Sequence, residues 1–427
     1  MLWIMLNAGS FMTCAESPNE GEYEMKTEKT FAIVGNWGFH PGSRGITTYR
    51  YDESTGDLSL IETIRPDIHA GQLCIDRERG IVYVVDEAGD RRGDIGGGGY
   101  VFAFSIDPES GKLTCINECE SLSPEPSYLC LDPGKKFLTV CHCADPWHVT
   151  KIRKNADGTF SSETHYDDTA LVLIRLNDDG SIQGPCDVSI FKGAGAQGPN
   201  AKVLVDPTTG HIQLTEIISR LHSVACNQDG SLMAVCDKGM DQIVTMHIDR
   251  SNGRLIRLFK YQAEPGCFPR YGAFHPQLPV YFANNERTTM INAFRYDSDT
   301  GVLDRICQVK AIYDDSMNDL NDPIGAQDLL VHPDGKHLYV SLERGVNLIA
   351  MLDIEADGSL VLRQNIDCGG LFPRGLCISD DGRLLFSENM NSGTITSFAI
   401  GEDGRLTATG KSFPAPSPSA MHFISFS

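Results

Sequence analysis

No run of apolar residues in the chain is long enough to cross a bilayer as a helix. Positive charge is scarce: 36 Lys and Arg face 57 Asp and Glu, for a net charge of −21. That excludes the basic stripes of a nucleic-acid groove or an anionic membrane surface. It also means that an anionic substrate would need local arginines working against the overall field. The start, MLWIMLNAGSFMTCAES, lacks a basic segment and a full apolar core, so no secretory signal is read there and a cytoplasmic location is expected. A Gly-x-Ser-x-Gly elbow is missing. Gly93–Gly99 is rich in glycine, but no Gly-Lys-Ser/Thr follows it, so a hairpin tip is expected rather than a phosphate loop. Cys141-His142-Cys143 has no second Cys/His pair of zinc-like spacing, and it reads as a strand with both thiols on one face. No metal and no cofactor is expected.

Cysteine itself is not scarce. The chain has 14, but Cys74, Cys130, Cys226, Cys267, Cys307 and Cys377 are scattered singly through apolar strands. That is the pattern of buried small hydrophobes in a reducing compartment. Apolar residues make up 41% of the sequence, enough for a sizeable core.

Two turn families alternate along the chain. The first is an Asp/Glu/Ser-x-Gly-x-Leu hairpin after an apolar strand, at Gly56, Gly111, Gly180, Gly253, Gly301, Gly358 and Gly404. Glycine supplies the positive φ such hairpins need. The second lies between these, at Arg79-Gly80, Pro133-Gly134, Asp229-Gly230, His275-Pro276, Asp334-Gly335 and Asp381-Gly382. One turn of each kind per unit gives about four strands per repeat, the size of a propeller blade. The expected fold is all-β: a seven-bladed β-propeller of four-stranded antiparallel blades over residues 29–427. Residues 1–28 read as an extension, and 144–170 and 192–215 as surface insertions. The last strand, in PSPSAMHFISF, has no partner of its own, and pairing with FAIVGN at 31–36 would close the ring and remove its edges.

Several segments carry a family resemblance. LHSVACNQDGS, PRYGAFHP followed by ANNE, AQDLLVHPDGKHLYVS and FPRGLCISDDGRLLFSENMNSGTITSF occur in that order. Together they resemble the lactonase family of seven-bladed propellers, with propeller-type 6-phosphogluconolactonases and fungal carboxymuconate cyclases as members. The likeness runs from about Phe31 to Ile424 and is most specific from His222 to Phe423. Inner strands of a propeller bring distant residues to one mouth of its channel. The resemblance implies catalytic roles for His222 and Glu286, with Arg270 and Arg374, each following a proline, binding an anion and an oxyanion. It also implies substrate contacts from Asp328, Tyr271 and Asn285, with Asp328 holding an arginine in place. Tyr271 stands where the family usually has His. CHCADPWHVTK replaces an Asn-Tyr-Gly-Gly-like run, and the following insertion, with Trp147, His148 and His165, is positioned to cover the mouth.

The expected activity is hydrolysis of a sugar lactone, 6-phosphogluconolactone above others, by base-activated water and without a cofactor. His222 and Glu286 are both candidates for the base. The expected partner is a small-molecule lactone, not nucleic acid or a membrane. Two other readings remain: a lactonising enzyme acting on a dicarboxylate, and a non-enzymatic binding platform. A hydrolase of a phosphorylated sugar needs both arginines at one open mouth. A platform would have that mouth filled by apolar side chains.

Overall fold

A computed structural model describes residues 29–426 apart from 39–41, 89, 92–93, 96–97, 145–147, 195–200, 206–211, 216, 315 and 317–323. The expected 1–28 extension and Trp147 therefore lie outside the described residues. Seven four-stranded antiparallel sheets follow one another along the chain. Six are built in sequence order, inner strand first. Their inner strands are Ala70–Asp76, Pro126–Leu131, Leu221–Cys226, Pro269–Phe274, Gly325–Val331 and Pro373–Ile378, and these head blades 1 to 6. Blade 7 takes its three outer strands, Lys29–Asn36, Gly45–Asp52 and Asp57–Ile64, from the start of the chain. Its inner strand, Pro418–Phe426, comes from the end and pairs antiparallel with Lys29–Asn36, Phe31 opposite Ile424. Each inner strand touches the next around the whole ring, including the closing strand against those of blades 6 and 1.

Burial explains why these segments are strands of this kind. Second strands such as Ile81–Asp86, Phe137–His142 and Val280–Asn285 are buried along their full length, since a neighbouring blade covers each face. They therefore read as continuous apolar runs rather than alternating ones. Outer strands such as Leu113–Glu120 and Arg254–Gln262 expose much of their length to solvent. The core is divided into seven large apolar clusters, one at each blade interface. One joins Val280 and Phe282 of blade 4 to Leu338 and Leu352 of blade 5. Another joins Phe31 and Ile33 of blade 7 to Phe102 and Phe104 of blade 1. Buried hydroxyls tie blades together at the outer hairpins: Tyr83 Oη donates to the Gly180 carbonyl at 2.6 Å and Tyr339 Oη to that of Gly404 at 2.7 Å. All seven hairpin glycines have positive φ, between 65° and 87°.

The segments expected as insertions form hairpins outside the blades: His148–Lys154 with Phe160–Tyr166, and Lys202–Val205 with Ile212–Thr215. His165 is exposed and bonds Glu163 at 3.3 Å, within its own hairpin. His142 is buried, with Nδ1 at 2.8 Å from the Ala170 carbonyl, and burial holds it neutral with a pKa of about 4. Among the described residues, no helix is long and apolar enough to cross a membrane.

Candidate active site at the channel mouth

The inner strands enter the ring at one end of the channel, and there every one of them breaks register with its neighbour. The irregularities fall at Ala70/Leu73, Pro126/Tyr128, Leu221/Ser223, Pro269/Gly272, Ala326/Leu329 and Pro373/Gly375, and at Gly35/Asn36 opposite the closing strand. A bulge puts an extra residue on one strand and re-aims its side chain. The bulged residues are Gly71 with Gln72, Ser127, His222, Arg270 with Tyr271, Gln327 with Asp328, Arg374 and, on the closing strand, Ser419. Three of the residues expected from sequence as site residues, His222, Arg270 and Arg374, therefore stand at equivalent places in different blades, and Tyr271 and Asp328 both take the position after that one.

The entry into three of these strands is strained. Glu125, Phe268 and Phe372 each precede the strand's first proline and have φ of 50°, 57° and 61°. A left-handed non-glycine residue costs on the order of 1–3 kcal/mol and persists only where its surroundings impose it. Here they do. The Phe268 amide donates to Asp241 Oδ1 at 2.8 Å, and its carbonyl accepts the Glu286 amide at 2.8 Å. Phe372 is held the same way by Asn347 Oδ1 and the Met390 amide. The kink that aims the arginine thus also fixes the residue just past the blade's second strand. In blade 4 that residue is Glu286. Its equivalents are Glu87 and Lys238, whose amides bond the His69 and Arg220 carbonyls.

Glu286 is the centre of the charge cluster. Lys238 Nζ lies 2.8 Å from its Oε2, Arg270 Nε 3.3 Å from the same oxygen, and Arg344 Nη2 3.1 Å from Oε1. Lys238, Arg270 and Glu286 are 6%, 3% and 3% exposed, so little water screens them. Burial alone would raise the Glu286 pKa, but Lys238, Arg270 and Arg344 outweigh it and hold the carboxyl well below its usual range. Arg344 also lies 3.2 Å from buried Glu343, whose pKa burial raises to about 7, so Lys238, Arg270 and Arg344 outnumber the fully ionised carboxylates beside them in a protein of net charge −21.

Arg270 donates through Nη1 to the Gln327 carbonyl at 2.9 Å and through Nε to His222 Nε2 at 3.3 Å. Arginine has only donors, so Nε2 is the acceptor and the His222 proton sits on Nδ1. Burial, then the charges of Arg270 and Lys238, push the His222 pKa well below its ordinary value, so the ring is neutral. Its Nδ1 is buried and has no partner among the described residues. Tyr271 lies beneath: its ring is 5.0 Å from the Arg270 guanidinium carbon and 5.4 Å from the His222 ring, and edge-on to Tyr128 at 5.3 Å. Burial raises its hydroxyl to about 12, so it stays protonated. Across the mouth, Arg374 Nη2 reaches Glu87 Oε2 at 3.0 Å while its guanidinium packs 4.5 Å from the Trp37 ring. Its Nε is buried and also without a partner. The charges of Arg374, Arg270 and Lys238 all act on Glu87, so both arginines belong to one mouth.

Two sequence expectations are corrected here. Asp328 holds neither arginine. Its Oδ2 accepts the Leu376 amide of the next blade at 2.8 Å and its Oδ1 the Leu329 amide at 2.7 Å, because the bulge turns the carboxyl toward backbone. Burial nevertheless raises it to about 6. Asn285 makes no hydrogen bond to the charge cluster among the described residues. It ends the strand one residue before Glu286, its Nδ2 donates to Thr288 Oγ1 at 3.3 Å, and its Oδ1 is buried without a partner among the described residues.

Lys238, Arg344 and Glu87 were missed because each looks like a turn residue: Asp-Lys-Gly, Glu-Arg-Gly, Asp-Glu-Ala. Equivalence with Glu286 in the repeat was the signal that could have found Lys238 and Glu87. Two glycines make room for carboxyls. A Cβ on Gly71 would lie 2.0 Å from Glu87 Oε2, and one on Gly375 2.1 Å from Glu388 Oε2. Glu388 is fully buried with neither oxygen bonded, and burial, reinforced by Asp328, raises its pKa far enough to keep it protonated.

The described mouth is ionic rather than filled by apolar side chains, which argues against the platform reading. Comparison with known proteins agrees. The family described as Lactonase, 7-bladed beta-propeller matches residues 32–423. A 6-phosphogluconolactonase of Bacillus subtilis is 23% identical over 385 residues, covering 90% of this chain and 95% of that protein. One from Formosa agariphila is 23% identical over 402 residues, covering 92% and 99%. In fold, the chain is similar to a periplasmic gluconolactonase of Pseudomonas aeruginosa, with a TM-score of 0.75, 20% identity, and 93% and 99% of the two chains covered. The chain belongs to the lactonase family of seven-bladed β-propellers and is a lactonase.

Proposed function

We propose that the chain hydrolyses a sugar δ-lactone bearing an anionic group, with 6-phosphogluconolactone as the best-fitting substrate and 6-phosphogluconate as product. The observation that carries this is the buried surplus of cations: Lys238, Arg270 and Arg344 share Glu286, while Arg374 keeps an unpartnered Nε. A phosphate or carboxylate entering the mouth would complete that charge balance. The relatives named 6-phosphogluconolactonase support the same substrate class.

In the chemistry, water adds to the lactone carbonyl and the ring C–O bond breaks, leaving a carboxylate and an alcohol. Arg270 and Arg374 bind the anionic group and the developing oxyanion, with planar donors already in place. His222 is the base. It is neutral, and its only lone pair sits on Nε2, in a long 3.3 Å contact with Arg270. A bound anion would draw the guanidinium away and offset the charges that depress His222, raising its basicity as substrate arrives. Glu286 does not serve, since three cations hold its proton affinity down. Its role is to fix Lys238, Arg270 and Arg344.

The test is hydrolysis of freshly made gluconolactone with and without the 6-phosphate, measured against spontaneous ring opening. The expected result is a higher kcat/KM for the phosphorylated lactone, with the advantage shrinking as salt screens the cluster. Equal efficiency on both, insensitive to salt, would overturn the anion-binding role.

A further inference from the structure

Gln327 stands in the mouth without a part in the chemistry above. Blades 3, 4, 5 and 6 place His222, Arg270, Gln327 and Arg374 at the same bulged position, so Gln327 lies between the two arginines around the ring. The other three blades place small residues there. Blade 1 has Gly71, and the two serines spend their hydroxyls on backbone: Ser127 Oγ donates to the Leu221 carbonyl at 3.0 Å and Ser419 Oγ to the Ala70 carbonyl at 3.1 Å. Gln327 is as buried as His222 and Arg270, and its amide is anchored at one end. Nε2 donates to Glu343 Oε1, which also lies 3.2 Å from Arg344 Nη2. The other amide atom, Oε1, accepts no hydrogen bond from the described residues. Arg270 is held by the Gln327 backbone carbonyl, at 2.9 Å, and not by this side chain.

We propose that Gln327 reads a ring hydroxyl of the lactone through Oε1, and so selects a hydroxylated sugar over a deoxygenated lactone. The inference rests on the reading of the mouth as a sugar-lactone site. Arg270, Arg374 and Lys238 offer only donors. Glu286 is the carboxylate that three cations share, and Nε2 of His222 is kept for the attacking water. A sugar hydroxyl has a proton to give as well as lone pairs, and Gln327 Oε1 supplies the acceptor for it. The place fits too. In 6-phosphogluconolactone the carbonyl and the phosphate stand at opposite ends, with hydroxyls on the carbons between. Arg270 and Arg374 take the two ends, and Gln327 lies between them. Glu343 fixes the amide in one orientation, so a lactone without that hydroxyl strands a buried acceptor.

The test measures kcat/KM on 6-phosphogluconolactone and on its mono-deoxy forms, in wild type and in Gln327→Met and Gln327→Leu. Both substitutions remove the amide at similar volume and keep the backbone carbonyl that holds Arg270, and circular dichroism reports which of them folds. The expected result is that one deoxy lactone costs wild type about tenfold. A folded variant should lose about tenfold on the parent lactone and nothing further on that deoxy form. If wild type treats every deoxy lactone like the parent, or if the losses from substitution and deoxygenation multiply, Gln327 reads no hydroxyl, while the sugar-lactone reading stands. If folded wild type turns over none of these lactones, that reading falls and this one with it.

Discussion

The two ends of the channel are built from the same seven inner strands and could hardly differ more. At the mouth every blade breaks its ladder, and the side chains there are arginine, lysine, histidine and carboxylate. At the other end the ladders run in register, and a cavity of about 590 Å³ is lined mostly by apolar side chains and thiols such as Cys226, with Arg77, Asp132, Lys135 and His422 among them. A regular strand alternates its side chains between the two neighbouring blades. Only where the alternation is broken can one strand aim a long polar group into the channel. The lesson is that chemistry sits where this fold pays for irregularity, in bulges and in the left-handed backbones of Glu125, Phe268 and Phe372.

The contrast can be broken most severely at Glu286. Glu286→Gln removes the carboxylate that Lys238, Arg270 and Arg344 share, leaving Arg344 its 3.2 Å contact with buried Glu343 and Lys238 and Arg270 without their ion-pair partner. Stability in urea should fall by about 3–5 kcal/mol, the range for stranding buried charge. Because the Glu286 pKa is depressed, its contribution is present above the unfolded carboxyl pKa and is lost as pH falls through the folded one. Wild type and variant should therefore converge in acid. A loss as large at neutral pH from Cys226→Ser, at the quiet end, would erase the distinction between the two ends.

Glu343 tests the sign in the other direction. Burial raises its pKa to about 7, against the pull of Arg344 and Arg270. Below the unfolded pKa both states hold the proton. As pH rises toward the folded value the unfolded chain ionises first, and wild type loses stability. Glu343→Gln imitates the protonated form and should be more stable at pH 8 by up to about 3 kcal/mol, with the gap vanishing near pH 4. A gap that widens in acid would contradict the assignment.

Arg374→Lys keeps charge but removes the planar fork. Turnover efficiency should drop about tenfold, by one charge-assisted hydrogen bond of roughly 1.5 kcal/mol, with the melting temperature little changed. Full activity would make Arg374 a tie to Glu87 and nothing more. Smallest of all, Cys226→Ser should change stability by no more than about 1 kcal/mol in urea, since it swaps one small polar group in a partly open cavity.

Much of the fold was legible because each feature has a local cause. Seven hairpins need positive φ, so seven glycines mark them, and an orphan last strand must find an edge. The Pro-Arg steps marked Arg270 and Arg374, and the order of motifs marked His222 and Glu286. What stayed hidden depends on register. Asn285 and Glu286 are adjacent, and one residue decides which of them joins the charge cluster. Asp328 is turned to backbone by a bulge that no sequence pattern announces. Lys238 and Arg344 stand in ordinary turn contexts, and their importance appears only when three blades meet at Glu286.

The most direct measurement is kcat/KM of Arg270→Lys on 6-phosphogluconolactone, with circular dichroism confirming the fold. Arg270 touches His222, Glu286 and the Gln327 carbonyl at once, so it links the proposed base to the charge cluster. Losing the fork removes one or two charge-assisted hydrogen bonds of roughly 1.5–3 kcal/mol each, so efficiency should fall about tenfold to a hundredfold with the fold intact. Wild-type efficiency in a folded Arg270→Lys variant would contradict a lactone site at this mouth.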